Sequence, residues 1–233
     1  MLMSYEEPLR EEITRFVSKA IEKISGLSAT VLVEEAAINP FLVKALGIND
    51  FDSLARFYVY QRVGRSLVTS FGTTIEKMIK ALCGGQKGDW WDVVTVIDGV
   101  RYYMSIKSGP RDMDKDQVQH FALRARELLA REPEARPIIA MGYGKEPLGP
   151  IVPTLRDEGL DPAQHTLTGK ELYERITGNS EFHRILLDLI SEVSQEVLGG
   201  RRIIELIEEK VREIAEEFKN RYDSVDDLLL DTF

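Results

Sequence analysis

The chain has 233 residues, of which 43% are hydrophobic and 30% charged, and its formal net charge is −9. Length and composition of this kind are typical of a globular protein with a sizeable core. The single cysteine excludes an intrachain disulfide framework. One cysteine and three scattered histidines also exclude a zinc site of ordinary ligand spacing, so a bound metal is expected to have oxygen ligands.

Two features bear on location. No apolar run approaches the roughly 18–20 residues that span a bilayer, so no membrane partner is expected. The segment 1–10 is polar and mixed in charge, unlike a secretory signal. Together with the cysteine content, these features predict a cytoplasmic protein.

The charge is unevenly distributed along the chain. Residues 56–131 contain 13 Lys and Arg against 8 Asp and Glu, a local excess of +5, so the remainder carries −14. This asymmetry is compatible with a basic working face on an acidic body, and equally with solvated helix faces that differ by chance.

The first third of the chain is predicted to be helical. An amphipathic helix covers about 11–24, and a second helical pattern follows the break at Asn39-Pro40, from 52 to about 70. Gly72 is expected to interrupt that pattern, and 73–82 then forms a shorter helix.

A hairpin is predicted in the middle of the chain. The runs 90–97 and 100–107 are rich in Val, Ile, Tyr and Trp, and Asp98-Gly99 lies between them. Asp-Gly between two such runs is a strong short-range hairpin signal. Trp90 and Trp91, at the start of the first run, are expected to be core residues.

The rest of the chain alternates helix and strand. A helix is predicted over 116–130, a buried strand over 138–143, a Pro/Gly-rich loop over 145–162, then a turn and helices, with a charged amphipathic helix over 203–221. The order predicts an α/β fold: a mixed central sheet flanked by helices, with helical extensions at both ends. We divide the chain into an N-terminal helical region (1–70), a core (71–180) and C-terminal helices (181–233).

The hairpin brings three polar side chains together. A two-residue turn pairs Ile97 with Val100, so Asp92 lies opposite Ser105 at about 5 Å between Cβ atoms, with Lys107 diagonal at roughly 7–8 Å. A carboxylate that holds a divalent cation and a lysine beside an attacking water suit phosphodiester hydrolysis. A plain cross-strand ion pair between Asp92 and Lys107 is the alternative.

One pattern resembles the signature of the PD-(D/E)xK nucleases: Asp92, then the hairpin, then Ser105-Ile106-Lys107. The longer string 100–110, which ends in Ser-Ile-Lys-Ser-Gly-Pro and is followed by Gln117, resembles a family of type II restriction endonucleases within that superfamily. The likeness covers about residues 35–195. It implies a restriction-endonuclease-like fold with the core at 71–180.

The resemblance also implies a metal site and its ligands. Ser105 replaces the carboxylate that most members have, and related enzymes recruit one from a neighbouring helix, for which Glu76 is the candidate. Asp92, Glu76 and Ile106 are then the metal ligands, with Mg²⁺ as cofactor and Mn²⁺ as a substitute. Thr73-x-x-Glu76 also reads as a capping box, which would explain the glutamate without a metal.

The segment after the hairpin offers candidates for DNA contact. Arg111, Asp112 and Lys115 are polar and follow the catalytic strand, and an Arg-Asp pair can read a G·C base pair. Contact with phosphate is the alternative. Asp114 and Gln117 match a helix cap, and Gln117 either orients the attacking water or only caps.

The sequence thus predicts a Mg²⁺-dependent type II restriction endonuclease of a restriction-modification system. It is expected to cut double-stranded DNA at a short specific site, without a nucleotide cofactor, and to act as a homodimer. The C-terminal helix either supplies the dimer interface or packs within its own chain. A structure-specific or repair nuclease and a non-catalytic DNA-binding module are the alternatives.

Overall fold

The chain is built from many helices around one small sheet. The structure, a computed structural model, describes residues 3–35 and 37–233, in which eleven helices and four strands form. The helices are α1 (Met3–Ser25), α2 (Ala29–Glu34), α3 (Pro40–Ala45), α4 (Phe51–Cys83), α5 (Lys115–Arg131), α6 (Ile151–Asp157), α7 (Pro162–His165), α8 (Lys170–Thr177), α9 (Phe182–Val197), α10 (Ile203–Arg221) and α11 (Val225–Leu230). The strands are β1 (Val93–Ile97), β2 (Val100–Lys107), β3 (Arg136–Met141) and β4 (Thr166–Thr168).

The sheet is mixed, as the sequence predicted. Its order is β1-β2-β3-β4, with β1 antiparallel to β2 and both following pairs parallel. The β1–β2 turn has positive φ at both central residues, 51° at Asp98 and 80° at Gly99. This is the backbone of a type I′ hairpin turn, which Asp-Gly favours. The register pairs Ile97 with Val100 and Val93 with Met104, so the predicted pairing is confirmed.

Helices cover both faces of the sheet. On one face, α5 and α6 pack through Val118, Phe121, Ala122 and Leu155 against Ile139 and Met141 of β3. Alternation along a strand directs neighbouring residues to the opposite face. The second part of α4 lies on that face: the Ile75 side chain reaches Gly142, and the Thr95 hydroxyl donates to the Cys83 carbonyl at 2.8 Å. The expected α/β layering is therefore present.

The described chain divides into two compact units. Unit 1 comprises residues up to Ile13 and Phe71–Glu192, and it contains the sheet. Unit 2 comprises Thr14–Ser70 and Val193–Phe233. The divisions fall inside α1, α4 and α9, so each of these helices contributes to both units.

Unit 2 has its own helical core. The helix α10, which matches the amphipathic helix predicted over 203–221, buries Ile207, Val211 and Ile214 there, together with Leu54 and Val59 of α4. These α10 side chains therefore pack within their own chain, which is one of the two roles considered for them. No helix among the described residues is long and apolar enough to cross a membrane.

Three local predictions are wrong. Gly72 does not interrupt a helix, since α4 runs without a break from Phe51 to Cys83. Burial of Met78 and Leu82 outweighs the cost of one interior glycine, about 1 kcal/mol. The predicted loop 145–162 contains α6, which Ile151 and Leu155 anchor in the core, and the short buried strand β4 was missed.

Candidate active site

At the open end of the hairpin, the Asp92 side chain continues the hydrogen bonding between the two strands beyond their last paired backbone residues. The ladder of β1 begins at Val93, and the Asp92 backbone N–H donates to the Met104 carbonyl at 2.9 Å. One step further, the Asp92 carboxylate accepts a hydrogen bond from the Ile106 N–H at 2.7 Å. Asp92 is therefore fixed to Met104 and Ile106 of β2, just beyond the last paired residues of the two strands.

Lys107 shares this end of the hairpin. Tyr103 packs toward the α5 side of the sheet, so Ser105 and Lys107 lie on that side by alternation. The Lys107 backbone carbonyl accepts from the Gly142 N–H at 2.9 Å, which fixes the end of β2 against β3. Within the described part of the chain the Lys107 ammonium has no ion pair, so the expected alternative of an Asp92–Lys107 pair is not formed.

Glu76 lies on α4 above the same end of the sheet. A Cβ placed on Gly72 would lie 3.9 Å from the Ser108 Cβ, so this part of the helix contacts the residue that follows Lys107. Glu76 is one turn further along α4, on the same side of the helix as Gly72. This side of the helix ends at Cys83, beside Thr95 of β1. The side of α4 that carries Gly72 and Glu76 therefore passes over the end of β2 toward β1.

The capping explanation of Glu76 is wrong. Thr73 and Glu76 lie in the interior of α4, where no helix begins and no free backbone N–H needs a cap. Among the described residues, Glu76 has neither a hydrogen bond nor an ion pair, and it is half-buried. The fold itself therefore gives no reason for a carboxylate at this position.

The donor atoms at the hairpin end fit a hard divalent cation. Asp92 and Glu76 offer carboxylate oxygens, and Ile106 offers its backbone carbonyl. Because the N–H and C=O of one strand residue point to the same edge, the Ile106 carbonyl faces Asp92 as its N–H does. In residues 3–35 and 37–233 no three His, Cys, Asp or Glu side chains form a closed metal site. Such a set suits Mg²⁺, which is usually held by one or two carboxylates and keeps several waters.

The turn after β2 is held by close packing and by Asp112. The Asp112 carboxylate accepts from the Gly109 N–H at 2.6 Å. A Cβ on Gly109 would lie 2.4 Å from the Tyr143 ring, so only glycine fits under this aromatic side chain. Tyr143 also donates its N–H to the Ser108 carbonyl at 3.2 Å. Nothing in the sequence predicted that Tyr143 covers this turn, because the contact joins two distant segments.

The predicted helix cap is present at the start of α5. The Asp114 carboxylate accepts from the Gln117 N–H at 2.8 Å, and the Gln117 side chain accepts from the Asp114 N–H at 3.2 Å. Both polar side chains thus satisfy a helix N-terminus, which was the expected role of Asp114 and one of two for Gln117.

The candidate DNA-contact residues are exposed. Arg111 lies on the turn after β2, and Lys115 is the first residue of α5. Trp91 is buried against Tyr103 and Phe121, as expected. The prediction that Trp90 is a core residue is wrong, because Trp90 is 69% exposed and stacks under the Arg124 guanidinium, 4.1 Å from the ring centroid.

Comparison with known proteins identifies the family of this chain. A search of curated proteins found no match to this chain. The family model of the type II restriction endonuclease EcoO109I matches residues 4–197, a range that includes all four strands, α4 and α5. The chain therefore belongs to the family of the type II restriction endonuclease EcoO109I, and it is a site-specific deoxyribonuclease that acts on DNA.

Proposed function

We propose that this restriction endonuclease hydrolyses the phosphodiester bonds of double-stranded DNA in a Mg²⁺-dependent reaction at the open end of the β1–β2 hairpin. The observation that carries the proposal is the position of Asp92, fixed to the Ile106 N–H one residue before Lys107, whose ammonium has no ion pair among the described residues. A lysine in an ion pair would have a role in stabilising the fold, whereas the Lys107 ammonium is available to contact a substrate.

Asp92, Glu76 and the Ile106 carbonyl are the proposed ligands of the cation. Enzymes of this family generally use divalent metal ions. A bound divalent ion polarises the scissile phosphate and stabilises its developing charge. Glu76 belongs to α4, which covers the face of the sheet opposite α5, so we propose that Glu76 and Lys107 approach the hairpin end from different sides.

Lys107 is proposed to act on the attacking water. As an ammonium it neutralises charge that develops on the phosphate, and as a neutral amine it accepts a proton from the attacking water. Ser105 cannot replace a carboxylate ligand, so its role is secondary. Gln117 is assigned to the helix cap because its side-chain oxygen is already used there.

Arg111 is proposed to read a base, with Lys115 on the phosphate backbone. An exposed arginine at the end of the catalytic strand can reach guanine in the major groove. The carboxylate of Asp112 holds the turn through Gly109, so we assign Asp112 to positioning Arg111.

The enzyme is proposed to act as a homodimer. One active site cuts one strand, so two sites related by a two-fold axis match a palindromic target and its two strands. Because Ile207, Val211 and Ile214 of α10 are buried within unit 2, these side chains are not available for the interface. Light scattering coupled to size-exclusion chromatography measures the mass directly, and a value of one chain would contradict the dimer.

Incubation of the purified protein with unmodified plasmid DNA and Mg²⁺ tests the proposal. Discrete bands whose ends share one short sequence are expected with Mg²⁺ or Mn²⁺, and no cutting with Ca²⁺ or with the Lys107→Ala variant. A smear, or cutting confined to branched or damaged substrates, would point to a structure-specific nuclease. Metal-independent cutting, or full activity of Lys107→Ala, would contradict the assigned site.

A further inference from the structure

A groove in unit 2 carries positive charge, although the chain as a whole is acidic. The groove has a volume of 590 Å³ and lies between the end of α1 and the first part of α4. Its charged and hydroxyl lining residues are Lys23, Arg62, Arg65, Ser66, Thr69 and Ser70. No acidic side chain is among its lining residues in the described part of the chain.

The charge along α4 is segregated. Residues 53–75 include three arginines and contain no Asp or Glu, within a chain whose net charge is −9. The helix α10, also part of unit 2, carries six glutamates against four Lys and Arg instead. A DNA duplex is repelled by the acidic body and can approach only where basic groups collect.

The three cations of the groove differ in their partners. Arg62 forms an ion pair with Glu35, and Lys23 donates to the Ser70 hydroxyl at 3.0 Å. Arg65 is exposed and has no hydrogen bond or ion pair from its side chain among the described residues. Arg65 and Lys23 therefore carry positive charge that no acidic side chain of the described residues neutralises.

The wall of the groove is ordered by the helix itself. The Thr69 hydroxyl donates to the Arg65 carbonyl at 3.0 Å, and the Ser70 hydroxyl donates to the Ser66 carbonyl at 2.8 Å. Arg62, Arg65 and Thr69 follow one another at helical spacing, so they line one side of α4. A row of cations on a fixed helix suits an extended anion better than a compact one.

We propose that this groove binds the phosphate backbone of the DNA duplex, through Lys23 and Arg65, outside the hairpin site. The inference rests on the proposed function, because it assigns a second contact for the same substrate. Lysine and arginine that contact phosphate position a duplex and carry no sequence information. Binding through this groove is therefore expected to be independent of base sequence and strongly dependent on salt.

Salt titration of DNA binding tests the groove. Duplex affinity is measured by fluorescence anisotropy without divalent metal, for wild type, Arg65→Gln, Lys23→Gln and the double variant, at several salt concentrations. Each single variant should flatten the slope of log affinity against log salt by about one unit, and the double variant by about two. The loss should be equal on a cleavable duplex and on one of scrambled sequence. Arg221→Gln, at the exposed end of α10 and outside the groove, removes the same charge and should leave the slope unchanged.

The outcomes separate this inference from the proposed function. If wild type cuts DNA but the groove variants keep the wild-type slope, the groove does not contact DNA and the hairpin site stands. If wild type neither binds nor cuts DNA, both proposals fall. If inorganic phosphate alone raises the melting temperature of wild type but not of Arg65→Gln, and the duplex slopes are equal, the groove is a site for free phosphate and the proposal is overturned. Unchanged circular dichroism and melting temperature exclude unfolding of the variants.

Discussion

Two neighbouring regions of unit 1 use their polar side chains in opposite ways. In the segment from Gly109 to Gln117, the carboxylates of Asp112 and Asp114 accept backbone N–H groups, and Gln117 completes a helix cap. At the open end of the hairpin, Lys107 and Glu76 have no such bonds among the described residues. The polar side chains of the first region stabilise the fold through these hydrogen bonds, whereas Lys107 and Glu76 make none that would give them such a role among the described residues.

We interpret this difference as a separation between residues that shape the proposed site and residues that act in it. A polar side chain satisfied by the backbone contributes to stability, and its removal leaves unpaired backbone groups. A half-buried charge without a partner costs free energy, so its presence indicates a ligand. Asp92 belongs to both classes, because one oxygen holds Ile106 and the other is available to a cation. The predictions below test this division.

Lys107→Ala should have the largest effect on activity. Cleavage is expected to fall by at least about 100-fold, because the group that acts on water or on developing charge is lost. The melting temperature and DNA affinity should change little, since Lys107 has no ion pair to lose among the described residues. Single-turnover cleavage and anisotropy measure the two quantities. Arg221→Ala, which removes an exposed positive charge at the end of α10 and outside the proposed DNA contacts, is a control for general effects.

Glu76→Gln should remove cleavage nearly as completely while leaving stability intact. The substitution keeps the shape of the side chain and removes the charge that a divalent cation needs. A rise in the Mg²⁺ concentration required for half-maximal rate, if any rate remains, is the specific signature. Normal cleavage by Glu76→Gln together with inactive Asp116→Ala would instead place the second carboxylate on α5.

Arg111→Ala should weaken cognate binding by roughly 1–3 kcal/mol and leave random DNA almost unaffected, as expected for a base contact. Lys115→Ala should weaken both equally and flatten the salt slope by about one unit. Anisotropy with the two duplexes separates the cases. Equal losses for Arg111→Ala on both duplexes would show that base reading lies elsewhere.

Asp114→Ala should lower the free energy of unfolding by about 0.5–2 kcal/mol, because it removes an N-cap with a reciprocal hydrogen bond. Cleavage at a temperature well below unfolding should be retained. Chemical denaturation measures the loss, and Asp116→Ala, in the first turn of the same helix but without the cap, is the matched control. A loss of cleavage in folded Asp114→Ala would contradict the assignment of Asp114 to fold stability alone.

Ser105→Ala should have the smallest effect. A hydroxyl is a poor ligand for Mg²⁺, so neither the metal requirement nor the rate should change by as much as tenfold. A large loss of activity in a cleavage time course would assign Ser105 a direct role.

Local patterns accounted for most of the β1–β2 hairpin. Asp98-Gly99 determined the turn type and the register from Ile97 with Val100 to Val93 with Met104. The cap at Asp114 was equally local. Features that depend on contacts between distant segments could not be predicted this way.

The positions of α4 and Trp90 illustrate that limit. Gly72 is a helix breaker by propensity, but buried side chains on α4 keep the helix continuous, and this continuity is what excludes a cap at Glu76. Trp90 looked like a core residue by its type, yet Trp91 fills the core and Trp90 is exposed under Arg124. The strand β4 has only three residues, too few to give a periodic signal.

The central claim is that Asp92, Glu76 and Ile106 hold one divalent cation at the end of the hairpin. Fe²⁺ in place of Mg²⁺, with ascorbate and peroxide, cuts a polypeptide next to the bound metal, and mass spectrometry locates the cuts. In the DNA-bound Lys107→Ala protein, the account predicts cuts close to residues 76, 92 and 106 that excess Mg²⁺ suppresses and Asp92→Asn abolishes. Cuts clustered around residues 114–116, with none near Glu76, would contradict it.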